Sequence, residues 1–231
     1  MSITAALHDV RARIHSAARD AGRAPTSVKL VAVSKTQPPS AVREAYAAGQ
    51  RDFGENYVQE LLQKAEALRD LADLRWHFIG HLQRNKARHV APLAALVHTV
   101  DTPELALELA KRFEGAHSGR RLDVLIEVSI AGEQQKHGVA PAELGALLAS
   151  VDALPSLRLC GLMCVPPLTD TAAGARPFFD ELARLRDLHG GRERLPELSM
   201  GMTHDLEQAV SAGATWVRVG TAIFGARPQK A

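Results

Sequence analysis

The sequence predicts an α/β protein folded as a single closed barrel of eight parallel strands. Three observations carry this. Eight short apolar runs, several rich in β-branched residues, follow one another along the chain. A helical stretch separates each consecutive pair. The length, 231 residues, suits one such domain. An open doubly wound sheet is the competitor, but its Gly-x-Gly-x-x-Gly turn after the first strand is absent. No linker or composition shift divides the chain, so residues 1–231 read as one domain.

An amphipathic helix with charges throughout, Met1 to Asp20, precedes the repeating pattern. The first strand is Lys29 to Ser34, and a helix follows from Pro39 to Ala48. The short run Asp52-Phe53-Gly54 leads to a helix from Val58 to Leu68. Arg75 to Ile79 is the third strand, with a short helix over Asn85 to Val90. The fourth is Leu96 to Val100. Its helix opens at Thr102-Pro103-Glu104, where threonine caps unpaired N–H groups and proline sits where its missing N–H costs nothing. Leu122 to Val128 is the fifth strand, before a helix from Pro141 to Ser150. Leu157 to Met163 is the sixth, before Ala172 to Leu188. Glu197 to Met200 is the seventh, before Asp205 to Ala212, and Thr215 to Val219 is the eighth. The stretches Gly115–Arg121 and Gly190–Arg194 read as loops.

Composition narrows the function classes. Aromatics make up only 4% of residues, so Ala, Val, Leu and Ile must build the core. With 28 basic and 26 acidic residues the net charge is +2, which leaves no electrostatic footprint for nucleic acid. The densest basic segment, Gln83-Arg84-Asn85-Lys86-Ala87-Arg88, reads as a solvated helix face, with contact to an anionic partner as the alternative. No apolar run reaches the ~18–20 residues of a membrane helix. The first helix lacks the basic start, apolar centre and cleavage site of a signal peptide. A cytoplasmic protein without a membrane partner is expected. Cys160 and Cys164 share one extended segment, about 13 Å apart at 3.3 Å per residue, beyond the ~7 Å a disulfide allows. Neither CxxC nor HExxH spacing occurs, so no metal site is expected.

In a β/α barrel, chemistry sits where strands end and loops begin. Those places hold Ser34-Lys35-Thr36, Glu55-Asn56-Tyr57, Gly80 to Gln83, Ser129, Met163 to Pro167, Ser199 to Thr203, and Gly220-Thr221-Ala222. They offer one well-placed lysine amine, several hydroxyls and glycines, and no carboxylate cluster. That suits an aldehyde carrying a phosphate better than a metal or a glycoside. A dry pocket would lower the Lys35 pKa and free its lone pair to attack a carbonyl. Position alone also allows a lysine that reaches into solvent. Gly201 and Gly220 let backbone N–H groups approach an anion, and Ser199, Thr203 and Thr221 add hydroxyls. The helix from Asp205 aims its N-terminus at the same cup, although Asp205 itself would repel a phosphate. Plain helix capping by Thr203 is the alternative. Arg218 lies in an apolar strand and needs a partner, either a barrel carboxylate or a ligand acceptor. Trp76 and Trp216 read as packing residues, and His77 and His81 as packed or hydrogen-bonded histidines.

Six segments together resemble the pyridoxal-phosphate homeostasis protein family. They are Val31 to Thr36, Phe53 to Glu60, Trp76 to Gln83, Gly161-Leu162-Met163, Ser199 to Thr203 and Val217 to Gly225. The match runs in order over nearly the whole chain. It implies a TIM-type barrel like the N-terminal domain of alanine racemase, with an extra N-terminal helix and without that enzyme's second domain. It also implies pyridoxal 5′-phosphate (PLP) held as a Schiff base on Lys35. By the same resemblance Asn56 lies beside the ring and Arg218 faces the pyridine nitrogen. Ser199, Thr203, Gly220 and Thr221 bind phosphate, with Met200 and Gly201 shaping the turn. Thr203 stands where serine is common and keeps the hydroxyl, and Arg84 stands where a small polar residue is common.

Three functions then compete: a carrier in intracellular PLP (vitamin B6) homeostasis, a PLP-dependent amino-acid racemase, and a Schiff-base aldolase. An arginine at the ring nitrogen cannot accept its proton, which weakens the electron sink that PLP catalysis exploits. Racemisation needs acid–base groups on both faces of the substrate, and the two tyrosines, Tyr46 and Tyr57, supply no evident second one. An aldolase usually wants a carboxylate and a second lysine beside the Schiff base. The expectation is a non-catalytic, monomeric PLP carrier whose partners are PLP itself and PLP-dependent apo-enzymes.

Overall fold

The computed structural model describes residues 2–132 and 137–226. Its strands are β1 Lys29–Val33, β2 Asp52–Glu55, β3 Arg75–Phe78, β4 Ala94–Val100, β5 Leu122–Glu127, β6 Leu157–Met163, β7 Glu197–Ser199 and β8 Trp216–Val219. They close into one barrel in sequence order, every neighbouring pair parallel, with β8 returning to β1. The helices are α1 Ile3–Asp20, α2 Pro39–Ala47, α3 Val58–Ala67, α4 Ala87–Val90, α5 Pro103–Ala116, α6 Leu144–Asp152, α7 Arg176–Leu188, α8 Gly191–Arg194, α9 Leu206–Ser211 and α10 Thr221–Phe224. The eight-fold barrel and the extra first helix are thus both present. That helix, α1, packs against α2, α9 and α10 on the outside of the seam.

Most boundaries differ from the sequence reading by one or two residues. The helix expected from Pro141 begins at Leu144, because a turn occupies the positions before it. The stretch read as a loop at Gly190–Arg194 is one helical turn, α8. Gly190 takes φ 110, which ends α7 and redirects the chain into α8 without the clash a Cβ would bring. Gly115 likewise belongs to the last turn of α5 rather than to a loop.

Strand side chains alternate between two environments. Phe53, Trp76, Phe78, Val97, Leu162, Leu198 and Val217 point outward and pack into the main core with the helices. Val31, Leu96, Leu125, Met163 and Trp216 form a separate cluster that fills the barrel. Both tryptophans are packing residues, 7% and 8% exposed. Ion pairs lace the N-terminal ends of the strands: Lys29 with Glu197, Arg75 with Asp52, and Arg158 with Asp123. That face of a barrel serves stability, and the opposite face carries chemistry. Cys160, in β6, and Cys164, just beyond its end, are free thiols, as their separation along one extended segment requires.

Candidate cofactor site

At the C-terminal ends of the strands lies a cleft of about 260 Å³ whose walls include Lys35, Asn56, Thr203, Arg218, Gly220 and Thr221. Six of the nine sequence-predicted residues therefore meet there. Val33, Ile79, Val165 and Phe224 supply apolar wall.

Lys35 sits on a tight turn after β1. The next residue, Thr36, takes φ 65, a left-handed conformation that a β-branched residue adopts only under constraint. The constraint is a buried polar clamp. Thr36 donates its N–H to Glu60 Oε2 at 2.6 Å. Lys64 Nζ donates to the Ser34 carbonyl at 2.6 Å, to Glu55 Oε1 at 2.7 Å and to Glu60 Oε2 at 2.9 Å. Ser34 Oγ donates to Glu55 Oε1 at 2.6 Å. Burial pushes the Glu55 carboxyl upward, and the charge of Lys64 opposes that push. Elements β1, β2 and α3 thus converge on the two residues either side of Lys35.

Asn56 follows β2. A Cβ on Gly80 would lie 2.2 Å from the Asn56 carbonyl oxygen, so only glycine lets the loop after β3 close against it. The Asn56 side-chain oxygen is buried without a hydrogen-bond partner among the described residues. An orphaned polar atom in a cleft wall is an unmet demand that a ligand can satisfy.

The loop after β7 divides its residues between the interior and the cleft. Ser199, Met200 and Gly201 do not line the cleft; all three are buried beneath it. Ser199 Oγ is bonded inside the barrel to Arg218 Nη1 at 2.7 Å and to His98 Nδ1 at 2.8 Å. The reason is alternation: Ser199 shares the inward parity of Glu197 on β7, so its hydroxyl faces the barrel axis. Met200 packs in the main core. Gly201, at φ 92, passes so close to α9 that a Cβ would meet Ala209 Cβ at 2.4 Å. These three shape the loop, and Met202, Thr203 and His204 reach the cleft. Asp205 turns its Oδ1 back onto the Met202 N–H at 2.6 Å. Its carboxylate is thereby occupied within its own loop.

Arg218 is 4% exposed and has no carboxylate partner among the described residues. Besides Ser199 it binds the Cys164 carbonyl through Nη2 at 3.0 Å. Burial lowers its pKa, though a guanidinium so placed still keeps its charge near neutrality. Burial also pushes the Cys164 thiol up to about 12, which leaves it inert. Glu127 ends β5; burial and the nearby Asp101 carboxylate push it up to about 7, against the pull of Arg218.

A second cleft shares Asn56, Ile79 and Val165 with the first and is bounded by His81, Glu127 and His137. Linear spacing showed no metal motif, yet His81, Asp101 and His137 bring ligand-type atoms within 4.8 Å of one another. They come from three different loops, which no spacing rule registers. Sequence reasoning also missed Glu55, Glu60, Lys64 and His98. The first two lie inside segments that carried the family resemblance, and a carboxylate closing an apolar strand was the available signal.

An amine, a buried guanidinium and two hydroxyl-bearing loops converge on one cleft at the functional face of a closed barrel. Together they define a cofactor-binding barrel of the type that heads alanine racemase. The family model described as alanine racemase, N-terminal domain, matches residues 6–228. Within that architecture the chain belongs to the pyridoxal phosphate homeostasis protein family. The family member from Pseudomonas aeruginosa is 50% identical over 219 residues, covering 94% of this chain and 93% of its own. That of Escherichia coli strain K12 is 45% identical over 230 residues, covering 96% and 95%. The solved structure of PipY from Synechococcus elongatus PCC7942 with PLP bound is 41% identical. It aligns with a TM-score of 0.81 over 97% of this chain and 100% of that one.

Proposed function

We propose that this protein carries PLP for intracellular vitamin B6 homeostasis, holding it as a Schiff base on Lys35 without catalytic turnover. The observation that carries this is the opening of Lys35 and Arg218 into one cleft beside the Thr203 and Thr221 loops. PLP supplies an aldehyde for the amine, a ring nitrogen that accepts a hydrogen bond, and a phosphate. Lys35 takes the aldehyde with loss of water. Arg218 donates to the ring nitrogen. Thr203, Thr221 and the Gly220 backbone hold the phosphate, and Asn56 meets the ring substituents. A PLP-bound relative of 41% identity supports the assignment.

Arg218 has donors only, so it keeps the ring nitrogen unprotonated and holds the cofactor as a poor electron sink. Neither tyrosine lines the cleft: Tyr57 is 53% exposed, and Tyr46 is bonded to Asp73 at the surface. The protein acts as a monomer in the cytoplasm and passes PLP to PLP-dependent apo-enzymes.

The purified protein is expected to be yellow. Borohydride is expected to bleach it and fix the label on the peptide containing Lys35, and Lys35→Ala is expected to lose or shift the absorbance. A colourless protein that takes up no added PLP overturns the reading. Robust racemisation of a common amino acid, lost in Lys35→Ala, overturns the non-catalytic part alone.

A further inference from the structure

A continuous file of polar side chains runs inside the barrel from its lower rim to the cleft. Arg75 holds Asp52 through two hydrogen bonds of 2.7 Å. Asp52 Oδ1 meets His77 Nε2 at 2.9 Å, and His77 Nδ1 meets His98 Nε2 at 3.0 Å. His98 Nδ1 meets Ser199 Oγ at 2.8 Å, and Ser199 Oγ meets Arg218 Nη1 at 2.7 Å. His77, His98, Ser199 and Arg218 are each at most 4% exposed.

The two ends and the Ser199 hydroxyl together set the protons between them. Burial alone would raise the Asp52 carboxyl, but hydrogen bonds from His77 and Arg75 outweigh it and hold it at about 2. Asp52 therefore only accepts, and His77 carries its proton on Nε2. With His77 neutral, its Nδ1 is a lone pair and His98 donates from Nε2. Burial, with the Arg218 charge nearby, drives His98 well below its usual pKa, so it stays neutral, and with its proton on Nε2 its Nδ1 is a lone pair. Ser199 gives its hydroxyl proton to that nitrogen and turns its oxygen to Arg218, which can only donate. Every bond then has one donor and one acceptor. The reversed file needs a charged His77 and sends His98 Nδ1–H to Ser199. Both recorded contacts of Ser199 Oγ then bring it protons, and its own buried proton faces neither, which costs free energy.

We propose that Asp52, His77, His98 and Ser199 form a positioning relay that orients Arg218 toward the ring nitrogen of PLP. The proposal rests on the PLP reading above for its ligand. Its consequence is that a change at the lower rim, outside the cleft, alters how the cofactor is held.

Side-chain ¹⁵N NMR of the cofactor-free protein reads the tautomers directly. Both His77 and His98 are expected as Nε2–H, and His98 as Nδ1–H overturns the relay. PLP titration monitored by absorbance then tests the coupling. Ser199→Ala removes the oxygen that Arg218 faces and is expected to weaken PLP binding about tenfold, the effect of one hydrogen bond to a charged group. It is also expected to move the absorbance maximum, and Ser199→Thr to restore both. Asp52→Asn acts from the far end, and is expected to weaken binding about threefold and to shift the His98 nitrogen signals. The relay is overturned if both variants bind PLP with wild-type affinity and spectrum while Arg218→Ala does not. Failure of the PLP reading is distinct, because the wild-type protein would then take up no PLP whatever its tautomers.

Discussion

Lys64 reaches beneath the Lys35 turn and bonds at once to the Ser34 carbonyl, Glu55 and Glu60. Its side chain is 4% exposed and that of Glu55 fully buried. Removing one partner of such a pair strands a charge in a dry environment. Lys64→Met is therefore expected to cost about 3–5 kcal/mol in urea denaturation. It is also expected to release the left-handed Thr36 and lower the yield of borohydride-trapped PLP in whatever fraction stays folded. Lys35 and Arg218 were legible in the sequence because each is a charge at the end of, or within, an apolar strand. The clamp was not. Glu55, Glu60 and Lys64 read as ordinary polar positions of a strand end and a helix, and only the docking of α3 onto the β1 turn buries them together.

At the scale of the element, the loop after β7 shows what a motif does and does not specify. The run Ser199 to Thr203 marked the loop, with Thr203 for the cleft and Met200 and Gly201 for the turn, but not the inward turn of the Ser199 hydroxyl. Period two along β7 sends Ser199 inward beneath Arg218, and the left-handed Gly201 then turns the chain so that Thr203 comes up to the cleft wall. Gly201→Ala is expected to lower stability by at least about 1–3 kcal/mol. Alanine is strained at that φ, and the new Cβ would overlap Ala209. A thermal melt measures this, and weaker PLP uptake is expected alongside as Thr203 shifts. Strand and helix positions were otherwise readable to within a residue or two, because apolar periodicity is local. The exceptions are α8 and α10, each a single turn, and the late starts of α6 and α7, the latter preceded by a 3-10 turn over Ala172–Ala175.

Across the whole molecule, the closed barrel was legible from eight repeats of strand and helix. Contacts across its interior were not. His98 and Ser199 lie 101 positions apart, and nothing local to either announces the other. The lower rim also gives the fold a defined acid limit. Asp52 is held at about 2, below its unfolded value, so its stabilising contribution is complete above the ordinary carboxylate range and is lost as pH falls through about 2. Asp52→Asn is expected to cost about 2 kcal/mol at neutral pH. In denaturation curves collected at successive pH values, that difference should close at the acid end.

The seam of the barrel joins β1 to β8, the first strand to the last. On the ribosome this order has a temporal meaning. Lys35 emerges after the first strand, while Thr203, Arg218 and Thr221 follow only once seven strands have been made. If the cleft holds PLP as proposed, a partly made chain can expose the amine yet has neither the arginine nor the hydroxyl loops to retain a phosphate. On the proposed function, capture of PLP would therefore wait on completion of the circle, and a nascent chain would be kept from drawing on the PLP pool before it can hold what it takes.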